Sequence, residues 1–424
     1  MVHEQVLNVR AGINDGGRGV SRKQEYDAVV EAVAGSARRG RAKSSSRAQT
    51  SSRAQSSGDG QSKRPERPIK RLSAVARVCV AAGLVVAGVG GLLLWRASTE
   101  GSGGVQAPWF SGYIDVTVVP QYSFESAATP STKNAMLAFV VASSEQPCTA
   151  SWGSTYSLDQ AKTSLELESH IADLRSKGGS VAISFGGSVN SELANSCQNQ
   201  AYLQDAYQAV LDRYAPATID FDIEGDNLAD ASAWQRRATA VAALQRTRSE
   251  KGQPLYVWLT LPVTPNGLTD AGTSAVDKML AAGVQLAGVN IMTMNYGSSR
   301  NPSQSMLDAA ISAAQSTHEQ LSIIYQRAGM NLSGEEVWKR MGVTPMIGRN
   351  DLPGEVFDLD AARGLNTFAV SKGISRVSMW SLNRDMPCRQ EPAHDSASHI
   401  CSGIAQGSQK FSEVLGAGLP GKLP

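Results

Sequence analysis

The chain has 424 residues and a formal net charge of +2, enough length for one large barrel with appendages or two to three smaller domains. Its charge is uneven: residues 1–70 carry about 14 Lys/Arg against about 7 Asp/Glu, so the remainder is mildly acidic. A basic tail on a weakly acidic body argues against a nucleic-acid enzyme, which keeps its positive charge on the folded surface that meets phosphate.

Residues 1–70 are rich in Ser, Arg, Gln and Gly, with Ser-Arg-Ala-Gln repeats near 45–56. That composition buries too little apolar surface to offset chain entropy and predicts a disordered tail. Residues 78–95 then run without a charge between Arg77 and Arg96. At 1.5 Å per residue this stretch reaches about 27 Å, enough to cross a bilayer core, so residues 71–96 are expected to form a signal anchor. The upstream basic cluster predicts an N-terminus inside and a C-terminal body outside, displayed at the cell membrane. The alternative, a cleaved signal peptide and a secreted protein, meets a poor cleavage site in Trp95-Arg96-Ala97. A short Gly/Ser linker, 97–106, follows. Of the five cysteines, Cys79 lies in the apolar run. The other four allow three pairings, of which sequence neighbours suggest Cys148–Cys197 and Cys388–Cys401. Zinc-type spacing is absent, so no metal and no cofactor are expected.

From Trp109 onward, apolar β-branched runs alternate with helical patterns. Strands are predicted at 113–118, 135–142, 181–185, 218–223, 255–261, 288–294, 343–347 and 376–381. Helical periodicity fills 159–176, 201–214, 231–250, 302–327, 333–341 and 359–372. Eight strands with intervening helices predict an α/β fold, a (β/α)₈ barrel over 107–424. A doubly wound open sheet is the alternative, but no glycine-rich dinucleotide loop follows the first strand.

The segment from Thr218 to Gly225 reads Thr-Ile-Asp-Phe-Asp-Ile-Glu-Gly. Strand side chains alternate, so Asp220, Asp222 and Glu224 share one face while Phe221 and Ile223 face the helices. In a barrel that puts three acids in the lumen, rising toward the C-terminal mouth where active sites lie. Like charges so close cannot all ionise, so at least one carboxyl should hold its proton, as glycosidic cleavage requires. A calcium loop would need an acid at its twelfth position, which is Ala231.

This segment resembles the Asp-x-x-Asp-x-Asp-x-Glu signature of glycoside hydrolase family 18, the chitinase family, with Ala217 in place of its first Asp. Three further motifs are similar in the same order: Ser184-Phe185-Gly186-Gly187, Met294-Asn295-Tyr296 and a tryptophan at the eighth strand, Trp380. Gly297 stands where an acid often follows that tyrosine. The resemblance covers about residues 107–415. It implies a retaining, substrate-assisted cut of β-1,4-linked N-acetylglucosamine in chitin or its oligosaccharides. Glu224 would be the acid and base, Asp222 would hold the acetamido group and Asp220 would hold Asp222. Tyr296 would bond the acetamido oxygen, and Trp380, Met294 and Asn295 would line the sugar site. Ser184, Gly186 and Gly187 would support it. Arg384, Asp385, Trp152 and Trp258 are further cleft candidates by residue type, Trp258 being read as core. The short stretch 348–358 suggests an open, endo-type groove. A monomer is expected, bound to the membrane only through its N-terminal span. The alternatives are a non-catalytic sugar-binding descendant of the fold, or an enzyme acting on peptidoglycan or N-glycan cores.

Overall fold

Eight parallel strands close on themselves in the computed structural model, which describes residues 107–126, 129, 131–389 and 397–424. The tail, the apolar span and the linker expected over 1–106 lie outside the described residues; among those described, no helix is long and apolar enough to cross a membrane. The first stave is β1 (Trp109–Phe110) continued by β2 (Gly112–Asp115). The others are β3 (Asn134–Ala142), β6 (Ser180–Gly186), β7 (Thr218–Asp222), β8 (Tyr256–Thr264), β10 (Leu286–Met292), β11 (Met341–Thr344) and β14 (Arg376–Val377). Closure comes from Trp109 pairing with Arg376 on one side and Gly112 with Ala135 on the other. Four short additions sit beyond the strand ends or on the rim: β4 (Ala150–Trp152), β5 (Tyr156–Ser157) and β9 (Gly267–Leu268), and the hairpin of β12 (Gly348–Arg349) with β13 (Val356–Phe357).

The expected staves are all present, with shifted edges. The first begins at Trp109 and ends at Asp115, and the last regular pairing on the eighth stops at Val377. Helices begin where a short polar side chain caps them. Asn199 starts Gln200–Tyr214, Asp230 starts Ala231–Glu250 and Asp358 starts Leu359–Lys372. Ser305 accepts from Asp308 N, so the helix expected from 302 begins at Met306. The pattern over 159–176 forms two helices, Leu158–Ser164 and Leu167–Ser176, because Glu166 adopts a left-handed φ of 48°. Apolar faces of these helices pack on the outward residues of the staves, among them Phe185, Phe221 and Leu259.

A second core fills the barrel itself. Trp109, Tyr113, Met136, Ala138, Ala182 and Trp258 pack there with Leu423. The C-terminal segment thus reaches the barrel floor, where Leu423 N donates to Asn134 Oδ1 (3.1 Å) and Thr218 Oγ1 to the Pro424 carbonyl (3.3 Å). Both disulfides suggested by sequence order form, Cys148–Cys197 and Cys388–Cys401. The second closes a loop that backs onto β12, where Arg349 N donates to the Ser402 carbonyl (2.8 Å).

Candidate active site

The three acids of β7 and its extension occupy a graded environment. Phe221 and Ile223 face the helices as alternation requires, Phe221 stacking on Phe185 at 5.3 Å. Asp220 is completely buried and accepts from four donors: Tyr113 Oη (2.8 Å), Ser184 Oγ (2.8 Å), Thr260 Oγ1 (2.7 Å) and Arg376 Nη1 (2.7 Å). Asn290 Nδ2 donates to Thr260 Oγ1 (3.0 Å) and Thr344 Oγ1 to Asn290 Oδ1 (2.9 Å), extending the network across the lumen. A carboxylate so supplied with donors is fixed in place.

One turn of the alternation higher, Asp222 is buried but its Oδ1 has no protein partner. Burial, then the negative charges of Glu224 and Asp220, push its carboxyl well above the usual range, against the pull of Arg376. Glu224 lies at the rim, partly exposed, with its pKa raised to about 7 by burial; a hydrogen bond from Asp222 opposes the rise and the Asp351 charge adds to it. The pair therefore holds a proton at neutral pH, and one of its carboxyl oxygens, Asp222 Oδ1, is buried without a protein partner.

Glycines let β6 approach this row. Gly186 has φ +103°, and a Cβ there would lie 2.1 Å from the Asp222 carbonyl oxygen. Gly187 N donates to that same oxygen at 2.8 Å, and a Cβ on Gly187 would strike the Phe139 ring at 2.7 Å. Phe139 in turn stacks on Trp380, with centroids 5.4 Å apart and planes 19° apart, both rings partly exposed. Beside them Met292, Met294 and Met346 form a luminal cluster that also touches Trp380 and Ala397. Asn295 exchanges two hydrogen bonds with Asp351, at 2.9 and 3.0 Å.

Tyr296 stands apart from this group. Its ring is 2% exposed and belongs to the outer core, and the charges acting on its hydroxyl are Glu355 and Arg300. The left-handed turn at Asn295 (φ 52°) carries the chain out of register, so Met294, not Tyr296, faces the lumen at this strand end. The Tyr296 hydroxyl is buried without a hydrogen-bond partner in the protein. Other cleft candidates serve the fold. Asp385 caps the helix Phe411–Leu415 through the backbone N–H groups of Phe411 and Ser412 (2.7 and 3.0 Å). Arg384 donates to the carbonyls of Ile347 (2.9 Å) and Ser398 (2.6 Å). Trp152 is buried with its Nε1 on Tyr214 Oη (2.9 Å), and Trp258 lies in the barrel core. Four site residues escaped the sequence reading: Tyr113, Phe139, Asp351 and Arg376. An arginine opening an apolar strand was the one available signal.

No family model matches the chain. It is 35% identical over 305 residues to the probable bifunctional chitinase/lysozyme of Escherichia coli K12, covering 69% of this chain and 33% of that protein. It is 34% identical over 304 residues to endochitinase 11 of Metarhizium anisopliae, covering 69% of this chain and 56% of that protein. The chain thus spans about a third and about half the length of these curated relatives. The catalytic domain of a hyperthermophilic chitinase from Pyrococcus furiosus superposes with a TM-score of 0.62 at 29% identity, covering 74% of this chain and 96% of that one.

Proposed function

We propose that the described barrel is a chitinase of glycoside hydrolase family 18 and hydrolyses β-1,4 bonds between N-acetylglucosamine units of chitin or its oligomers. The observation that carries this reading is the luminal row Asp220–Asp222–Glu224. Its lowest member is anchored by four donors, and its upper two share a proton near neutral pH.

Such a row suits a substrate that supplies its own nucleophile. Glu224, protonated up to about pH 7, gives its proton to the leaving glycosidic oxygen. The sugar's 2-acetamido oxygen attacks C1 from the opposite face and closes an oxazolinium ring. Asp222, whose Oδ1 is unpartnered, accepts the acetamido N–H and balances the developing positive charge. Asp220, clamped by Arg376, stays fixed beneath Asp222 as a buried negative charge. Glu224, now ionised, takes a proton from water as it opens the ring, so the anomeric configuration is retained. The stacked pair Phe139–Trp380 offers an aromatic floor for the sugar's apolar face.

The test is release of 4-methylumbelliferone from a chitooligosaccharide conjugate. Glu224→Gln should reduce kcat by more than about 1000-fold with the fold intact, since the proton donor is gone; undiminished turnover would refute the assignment. A second substrate, the N-acetylated glycan of peptidoglycan, is favoured by one observation, that one relative is described as a chitinase/lysozyme. Products from muropeptides and from chitin decide between them. Tight binding without products would instead indicate a sugar-binding descendant of the fold.

The barrel acts outside the cytoplasm as a monomer in this reading, held at the membrane through residues 78–95. Two disulfides and the basic flank of that apolar run support it. Protease added to intact cells should clip the barrel and spare a tag on Met1.

A further inference from the structure

We infer that Trp234, braced by the buried pair Glu192–Arg237, is a positioning residue for the acid Glu224 and acts on it through the helix Gly225–Ala229. The inference rests on the hydrolytic reading above.

Regular pairing on β7 stops at Asp222, so Glu224 sits two residues past the ladder, in extended backbone (φ −128°, ψ 168°) at the entrance to that helix. Ile223 N donates to the Thr260 carbonyl (3.1 Å), and the Glu224 carbonyl accepts Leu228 N (3.3 Å). The Glu224 side chain makes no capping bond to the helix and is partly exposed at the cleft. A helix of five residues does not hold its shape alone, so its placement is set by what grips it from outside.

Two side chains grip it. Trp234 Nε1 donates to the Leu228 carbonyl (2.9 Å), and Asn195 Nδ2 donates to the Asn227 carbonyl (3.2 Å). Both are joined to Arg237: its guanidinium lies over the Trp234 ring at 4.3 Å, and its Nη2 donates to Asn195 Oδ1 (2.9 Å). Arg237 is itself completely buried against Glu192, whose Oε2 accepts Nη2 at 2.5 Å and Nε at 3.2 Å. Tyr207 Oη (2.5 Å) and Ala194 N (2.7 Å) also donate to the Glu192 carboxylate. The short helix Leu193–Ser196 that carries Asn195 ends at Cys197, which the disulfide ties to Cys148. A continuous chain of contacts therefore runs from the Glu192–Arg237 pair through Trp234 and Leu228 to the backbone of Glu224.

Stability alone does not account for the pair. Apolar residues of similar volume join helices as firmly as a buried ion pair does, and Arg237 Nη1 is buried with no partner. What the pair adds is direction: it fixes the plane of the Trp234 ring and the amide of Asn195, the two donors behind Glu224. A proton donor depends on such placement, since a shift of about 1 Å can cost roughly 100-fold in rate.

The test is Trp234→Phe, which keeps a ring under Arg237 and removes the indole N–H. Two substrates separate proton delivery from everything else. Chitotetraose expels a sugar oxygen that needs the Glu224 proton, whereas a 2,4-dinitrophenyl chitobioside expels a phenolate that leaves without one. The ratio kcat/KM covers the steps up to that departure, so the later attack of water does not enter, and a change in the amount of folded enzyme scales both substrates alike. We expect kcat/KM to fall about tenfold on chitotetraose and less than about twofold on the dinitrophenyl glycoside. Asn195→Ala removes the second grip at a partly exposed position. It should move the balance between the substrates the same way, and it carries the test if Trp234→Phe folds poorly. Equal losses on both substrates, or none, overturn the inference and leave the hydrolytic reading in place. A parent protein that cleaves neither substrate overturns that reading, and the inference with it.

Discussion

Asp220 and Arg376 meet at 2.7 Å in the middle of the barrel, both without solvent exposure, joining strands 156 residues apart in sequence. The guanidinium also donates to Tyr113 Oη and Ser378 Oγ, at 2.8 and 2.9 Å, and lies over the rings of Trp109, Tyr113 and Trp258 at 5.4–5.7 Å. Every polar group of the pair is therefore answered inside the protein, which is the condition under which a buried ion pair is tolerated.

Arg376→Met keeps the apolar stem and removes the cation, leaving Asp220 buried against Asp222 with no counter-charge. We expect a loss of about 3–5 kcal/mol in unfolding free energy and a large fall in kcat, because Asp222 loses its fixed neighbour. Urea denaturation measures the first, and a transition midpoint equal to the parent's would contradict it.

The raised pKa of Glu224 makes stability depend on pH. The folded barrel holds this proton up to about pH 7, against 4.5 for an ordinary glutamate. The contribution is fully present below about pH 4.5 and is lost as pH rises through 7, leaving an ionised carboxylate in the cleft that opposes folding by about 1–3 kcal/mol. Glu224→Gln removes that opposition. The variant should melt above the parent at pH 8 and close to it at pH 4.5, and a constant difference across that window would count against the shifted proton.

Periodicity made the barrel legible because each stave pairs an outward apolar row with a helix whose cap is a short polar residue. Strand alternation likewise placed Asp220, Asp222 and Glu224 correctly, since Phe221 and Ile223 could only face the helices. What escaped depends on tertiary contacts. Phe139 is one aromatic in an apolar run until β14 brings Trp380 beside it. Asp351 meets Asn295, 56 residues earlier, only once the chain is folded. Tyr296 follows a left-handed turn that breaks the alternation carried forward from Asn290 and Met292. A period-two argument fails at the first residue with positive φ.

Gly186 marks the closest approach of β6 to the acids. Its φ of +103° is hostile to L side chains, and any Cβ would sit 2.1 Å from the Asp222 carbonyl oxygen, which is backbone and cannot rotate away. Gly186→Ala should therefore cost more than about 2 kcal/mol and shift Asp222 enough to depress kcat more than KM. Gly354→Ala is the control, since its φ is also positive (+79°) but nothing lies within 4 Å. Equal losses in the two variants would mean that backbone strain alone explains the effect and that the contact with Asp222 carries no weight.

The stack of Phe139 on Trp380 predicts a hierarchy of sugar binding. Trp380 touches both luminal clusters and keeps an exposed face, so it is the ring a sugar would meet, while Phe139 supports it from beside β6. Trp380→Ala should raise KM for a chitotriose substrate about tenfold, the weight of one aromatic contact. Phe139→Ala should raise it less, because Trp380 is only loosened. If Phe139 acts through Trp380, the double variant bound to the same substrate should match Trp380→Ala alone, a non-additive cycle. Additive losses would mean instead that each ring grips the sugar independently, and the floor of the cleft would then be two platforms wide.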